Sequence, residues 1–357
     1  RKTIGTLIAS ISFLISLSIW AYASPPGSAP DDDFHLPAIW CSHGKVEGKC
    51  DPEFAGDGYG KTPDPLSPSA ICFAFKSEIS AACQYSQVNW NGKELRGSRT
   101  NETGRFPNGF YWTMNLLIGE NTLNSAILMR IFNSILAVIL LTLTSIFTTR
   151  NIRFALLTSW IALITPLAAF TIPSTNPSSW SIIGLGIYWA ALLSFLTLKD
   201  KKHIVIQAIL TFITGLMAIN SRSEASPYLL LVTLIILFIH APIRNIFTLN
   251  IKYLLPLIVG IFAFIEFWTT PSTLGWSTGL QGGDPNRTRG ELFFRNLSQW
   301  PKFIDGAVGS WPLGWFDTPM PPMTSFFGSL VLVAVFFMGL RITNWKKNIS
   351  LILIMGA

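Results

Sequence analysis

Charge is what this chain has least of. Asp, Glu, Lys and Arg together make up 13% of its 357 residues, against about 25% in ordinary soluble domains. Half of the residues are hydrophobic and the mean hydropathy is +0.43. That balance excludes an ordinary soluble domain and fits a polytopic membrane protein. Acid is scarcer than base, 19 residues against 26, which leaves a net charge of +7. The excess is no nucleic-acid signal, because most basic residues sit in short connections between apolar runs, where they orient a chain in a bilayer. Cysteine is rarer still, with four in all and none in an apolar run. A Gly-rich nucleotide fingerprint, a Ser-His-Asp arrangement and an internal repeat are all missing, so neither nucleotide binding nor serine hydrolysis is indicated.

What is present is a series of apolar runs. They lie near 4–23, 125–147, 153–172, 180–198, 203–219, 227–241, 251–270 and 325–342, with a partial one from 349, and predict about nine spans by length. The loops test that reading. If Arg1 and Lys2 are cytoplasmic, the returning connections are 148–153, 199–203, 240–250 and 341–348, each short and each basic, as the positive-inside rule requires. The expectation is an all-α polytopic protein of the plasma membrane with a cytoplasmic N-terminus. It divides into a first span (1–23), a large extracytoplasmic loop (24–124), a six-span membrane core (125–270), a second extracytoplasmic loop (271–324) and further spans (325–357). Arg1 is not a start methionine and Ala357 ends a short apolar run, so further spans are expected beyond it.

All four cysteines, Cys41, Cys50, Cys72 and Cys83, fall in the first large loop. An even number on the non-cytoplasmic side points to disulfides with three connectivities open, the local pairs Cys41–Cys50 and Cys72–Cys83 being the simplest. A zinc site from Cys41, Cys50, His35 and His43 competes, but the spacing matches no closed structural zinc pattern. The same loop ends in Phe106-Pro107-Asn108-Gly109-Phe110-Tyr111-Trp112, whose default role is an interfacial aromatic anchor. In the second loop, the apolar positions of Glu291–Ile304 suit an amphipathic helix on the membrane surface or against the first loop.

Polar chemistry concentrates near the expected outer rim. Asp31, Asp32 and Asp33 stand with His35 eight residues past the first apolar run, behind Pro25, Pro26 and Pro30, which stiffen the approach. A solvated acidic loop is the plain alternative. Arg130 lies inside the second run and Glu266 near the outer end of the seventh, while Arg222 and Glu224 share a very short outward turn. Ionisable groups at such depth tend to be functional. Arg222 paired locally with Glu224, or Arg130 reaching up to headgroups, are the structural alternatives. The functional reading is that Arg130 and Arg222 grip a lipid phosphate, since guanidinium forks onto phosphate oxygens and stays charged. Asp317, a lone carboxylate between aromatic and apolar neighbours, is expected to face the same cavity as Asp31.

Taken together, Pro30-Asp31-Asp32-Asp33-Phe34-His35 resembles the Pro-Asp-(Glu/Asp)-x-x-His motif of a bacterial family of predicted membrane proteins of unknown function. The likeness continues in Met129-Arg130-Ile131, Asn176-Pro177-Ser178 and Arg222-Ser223-Glu224, and is strongest in Leu313-Gly314-Trp315-Phe316-Asp317-Thr318-Pro319-Met320-Pro321. Asp33 stands where many relatives carry Pro, and the cysteine-bearing insertion at 41–83 departs from the pattern. The resemblance implies membership of the class C (GT-C) glycosyltransferase superfamily and hence a GT-C-like fold. It also implies a polyprenyl-phosphate sugar as donor and an extracytoplasmic active site.

That chemistry needs a base for the acceptor hydroxyl and cations for the departing phosphate. Asp31, Asp32 and His35 are the candidate catalytic residues; Arg130, Arg222, Glu224 and Asp317 are the candidates for holding substrate. No cofactor is required, although Mg²⁺, Mn²⁺ or Ca²⁺ bridging Asp31 or Asp32 to phosphate is compatible with hard oxygen ligands. The expected partners are the donor lipid, a cell-envelope or cell-wall glycan acceptor and membrane lipid, with no nucleic acid. Two other classes stay open: a transporter or flippase for lipid-linked sugars, and a cell-wall-binding scaffold. Transporters place polar sites near the bilayer midplane, whereas this constellation falls at the rim.

Overall fold

Helix α1 (Lys2–Ala23) contains no charge after its first residue, so its backbone bonds internally and its side chains can meet lipid. Its exposed positions include Leu7, Ile8, Ile11, Ile15 and Ile19. Its other face packs on helix α5, where Ser10 and Thr142 hydroxyls lie 2.6 Å apart. This computed structural model describes residues 2–52, 58–90, 92, 94–240, 251–270, 288–299, 313–340, 345–346 and 348–349.

The first loop is a folded cap. Helix α2 (Asp32–Trp40) follows the acidic run, a two-stranded antiparallel sheet joins β1 (Tyr59–Pro63) to β2 (Leu95–Arg99), and a short α3 (Gln84–Gln87) precedes α4 (Asn108–Asn115). The sheet pairs Tyr59 with Arg99 and Pro63 with Leu95, a strand element within a chain expected to be all-α. Cys41 is bonded to Cys50 and Cys72 to Cys83, the two local pairs; the thiolates a zinc site would need are therefore consumed. Phe110 and Tyr111 are buried, not interfacial anchors, and only Trp112 of that trio is exposed. They pack with Leu36, Ile39 and Trp40 of α2 in one core that continues into the membrane helices through Leu17, Met129 and Ile183. The cap is seated on the bundle by its own apolar side chains.

The bundle comprises α5 (Thr122–Ile146), α6 (Arg150–Leu163), α7 (Pro166–Thr171), α8 (Ser178–Thr197), α9 (Lys201–Ile219), α10 (Ala225–His240) and α11 (Ile251–Thr269). Helix α8 packs most extensively on α9, and Gly184 sets that distance: a Cβ there would stand 2.8 Å from both Ala218 N and Thr214 O. Small residues of this kind let membrane helices approach closely. After the second surface helix, α12 (Arg289–Ser298), comes α13 (Pro322–Gly339), none of whose side chains is buried.

Among the described residues, six helices are long and apolar enough to cross a bilayer: α1, α5, α8, α9, α11 and α13. The difference from nine has local causes. The run at 153–172 is interrupted after Leu163, because Thr165 accepts a hydrogen bond from Ala168 N and Pro166 opens a new helix. The run at 227–241 becomes a helix of 16 residues. Most of the run from 349 lies outside the described residues. Helix α12 starts on a reciprocal cap, with Glu291 N donating to Thr288 Oγ1 and Thr288 N to Glu291 Oε2. Trp300, Phe303 and Ile304 of the expected surface helix lie outside the described residues.

Candidate functional site

The linker from Ser24 to Pro30 carries the chain from α1 to the acidic run, and its carbonyls are held from four directions. Arg130 on α5 donates to Ser24 O (2.6 Å) and Pro25 O (3.0 Å). Gln84 Nε2, beside the second disulfide, donates to Pro26 O at 2.6 Å. Trp315 Nε1 donates to Gly27 O at 2.9 Å, and Asn176 Nδ2 to Pro30 O at 2.8 Å. A segment without regular hydrogen-bonded structure has its acceptors satisfied by side chains instead, which fixes its path. The segments 30–35, 129–131, 176–178 and 313–321 thus meet around one stretch of chain.

At the end of that linker the three aspartates diverge. Asp31 occupies the cap position of α2 with a left-handed backbone (φ 58°) and is exposed. Asp32 is fully buried: Oδ1 accepts from Thr175 Oγ1 at 2.8 Å and Oδ2 from Ala29 N at 3.2 Å, while Arg130 stands 3.6 Å away. Burial pushes the Asp32 carboxyl up to about 6, opposed first by the Arg130 charge and then by Thr175. Asp33 is bonded to Arg99 on β2 at 2.6 Å. No group of three or more His, Cys, Asp or Glu that could hold a metal ion comes together among the described residues.

His35 is fully buried, with Nδ1 2.9 Å from the Tyr111 hydroxyl. Its Nε2 has no hydrogen-bond partner among the described residues. Burial, then the Arg222 and Arg99 charges, push its pKa well below the usual histidine value, so the ring is neutral at physiological pH. Burial raises the Tyr111 hydroxyl well above its ordinary value; Arg222 opposes that and Asp31 adds to it. Asp31 and Arg222 thus both act on one hydroxyl, with opposite sign.

Arg222 reaches this place from the turn between α9 and α10. Phe110 N donates to Asn220 O at 3.2 Å, and Gly109 lies so close to Asn220 that a Cβ would collide with its side chain. The turn is locked to the start of α4. The Arg222 guanidinium stacks 5.2 Å from the Phe106 ring, donates to Ser178 Oγ at 3.2 Å and has Nε 3.5 Å from Glu224 Oε2. Phe106 in turn lies 5.4 Å from the His35 ring. The Arg222 side chain keeps 31% of its exposure.

The residues singled out by sequence therefore separate into two groups. Asp31, His35, Arg222 and Glu224 gather at the cap's edge, joined by Arg99, Phe106, Tyr111 and Ser178. Arg130, 1% exposed, is instead a strut between α5 and the linker, with Asp32 as its counter-charge. The two arginines do not form one grip. Asp317 sits in a turn closed by the Leu313–Thr318 bridge, where its Oδ1 accepts from Trp315 N (3.1 Å) and Thr318 Oγ1 (3.2 Å). It makes no ion pair among the described residues. The Thr175 contact had no sequence signal of its own, although Asn176-Pro177-Ser178 marked its neighbourhood, and Tyr111 had been read only as part of the aromatic stretch Phe106–Trp112.

A family model described as a predicted membrane protein (DUF2142) matches residues 14–357. No curated protein and no solved structure matches the chain.

Proposed function

The chain belongs to the DUF2142 family of predicted membrane proteins, and within it we propose that it acts as a GT-C-type membrane glycosyltransferase. It would move a sugar from a polyprenyl-phosphate donor to an envelope glycan on the side where the first loop emerges. The observation that carries this reading is the pairing of an exposed, conformationally fixed carboxylate with a half-exposed arginine. The charges of Asp31 and Arg222 both act on the buried Tyr111 hydroxyl, which lies 2.9 Å from His35 Nδ1, and the Arg222 guanidinium stacks on Phe106.

In the proposed reaction Asp31 takes the proton of the acceptor hydroxyl as its oxygen attacks the anomeric carbon. The bond from that carbon to the phosphate oxygen breaks, and the electron pair leaves with the lipid phosphate. Arg222 stabilises the charge that develops there; Glu224 and Ser178 hold the guanidinium in place, and Phe106 supports its flat face. Arg99 adds positive charge from the cap side. His35, neutral and fully buried, positions the Tyr111 hydroxyl rather than touching substrate. Asp32 and Arg130 serve the linker, and Asp317 its own turn.

The test uses the purified chain in nanodiscs with polyprenyl phosphate as the probe. Wild type should bind it, and Arg222→Ala should weaken binding at least tenfold, with Arg222→Lys a poor replacement because an ammonium offers no fork. Absence of binding in wild type, or equal binding in Arg222→Ala, would overturn the reading and favour a cell-wall-binding scaffold.

A further inference from the structure

Among the described residues, three that are not glycine hold a left-handed backbone: Asp31 (φ 58°), Phe75 (φ 59°) and Phe316 (φ 57°). Aspartate visits that region readily, but phenylalanine does so at a cost and needs an explanation. Packing does not supply one. The Phe75 and Phe316 side chains are left 73% and 56% exposed, and Ile71 beside them 65%. The strain holds aromatic rings outward.

Phe75 and Phe316 come from distant parts of the chain and meet at Trp315. The Phe75 ring lies 5.2 Å from that indole, and Phe316 is the next residue. Trp315 is itself buried against Ala70, Cys72 and Phe73 in a small core separate from the main one. The Cys72–Cys83 bond closes the segment carrying Phe75, so the patch is a stapled, prearranged surface.

Its position relative to the apolar helices is fixed twice. Trp315 bonds to Gly27 O, four residues beyond the end of α1, and the chain reverses there, with Ser28 N on Pro25 O at 3.1 Å. On the other side, the bridged turn ends at Thr318 and helix α13, none of whose side chains is buried, begins at Pro322. Both tethers hold the patch beside the point where an apolar helix ends. The layer between hydrocarbon and water there is roughly 5–7 Å thick on each side, and it favours aromatic rings. Exposed Lys76, adjacent to Phe75, suits anionic headgroups.

We infer that Ile71, Phe75 and Phe316 form a wedge that inserts into the interfacial layer of the leaflet on the cap side, with phospholipid as its occupant. The wedge holds the cap down on the bilayer, and it stands independently of the glycosyltransferase reading.

The experiment places the full chain in nanodiscs of phosphatidylcholine and phosphatidylglycerol doped with a phospholipid carrying a diazirine near the top of one acyl chain. After irradiation and digestion, peptides holding residues 71–76 and 313–318 should carry severalfold more lipid label than those holding strands β1 and β2. Labelling at the strand level would overturn the inference, and would point to a protein surface covering the patch. In the Phe75→Ser, Phe316→Ser double variant, label on both peptides should fall toward the strand level while label on α1 and α13 stays. Undiminished label in a variant that keeps its span labelling would show that these rings do not insert. If the double variant fails to fold, the wild-type comparison decides alone.

Discussion

The three neighbouring aspartates have three different fates, so equal substitutions should have unequal effects. Asp31→Asn removes an exposed carboxylate and should cut transfer about 10²–10⁴-fold, with the melting temperature in detergent unchanged. Asp31→Gly should go further in a revealing way, abolishing transfer while raising stability by about 1 kcal/mol, because glycine relieves the left-handed backbone. Asp32→Asn replaces one of two buried acceptor oxygens, which take Thr175 Oγ1 and Ala29 N, by an amide NH₂, a change on the order of 1–3 kcal/mol, and should appear first as a lowered melting temperature at acid pH. The Asp32 carboxyl also gives a pH signature. Its folded pKa of about 6 lies above the ordinary carboxylate value of 3.8, so the folded state holds the proton more tightly than the unfolded one. Stability therefore falls as pH rises from about 4 to about 6 and is flat above, by on the order of 3 kcal/mol. Melting curves across that window should show the slope in wild type and lose it in Asp32→Asn. Sequence marked Arg130 as an ionisable group at depth, which it is; what it could not supply was the partner, because Ser24 and Pro25 are acceptors only through their backbone.

At the level of elements, the apolar runs were legible wherever they were long and uninterrupted, as in α1, α5, α8, α9, α11 and α13. Thr165-Pro166 was a readable stop inside the run at 153–172, outweighed by its hydropathy. The cap was less legible. Helix α2 is short, carries Pro37 in its interior and buries almost every side chain, so no amphipathic period announces it. Phe110 and Tyr111 resemble interfacial anchors by composition, and their burial follows from a facing helix 70 residues away. The local disulfide pairs were the simplest of three connectivities and are the ones formed. Opening Cys72–Cys83, whose ends are 11 positions apart in sequence, should cost about 3 kcal/mol. Cys72→Ser should therefore melt earlier than wild type under oxidising conditions, and the two should coincide in reductant once the Cys41–Cys50 bond is removed from both.

For the whole molecule, the orientation expected from the basic connections is checked by labelling. Cys83 is the least buried of the four cysteines. After mild reduction of intact cells, an impermeant thiol reagent should reach it first if residues 24–124 are outside. Protection in intact cells with labelling in lysed ones would reverse the orientation. The linker at Ser24–Pro30 bears on a different matter, the order of events during synthesis. Its donors sit at positions 84, 130, 176 and 315, so the carbonyls emerge early and their last partner emerges late. Until Trp315 has been translated, Gly27 lacks its donor and the approach to Asp31 is incompletely braced. The acidic residues are thus among the first to be made and among the last to be set in place. A chain interrupted before that tryptophan would present the carboxylate without its full bracing.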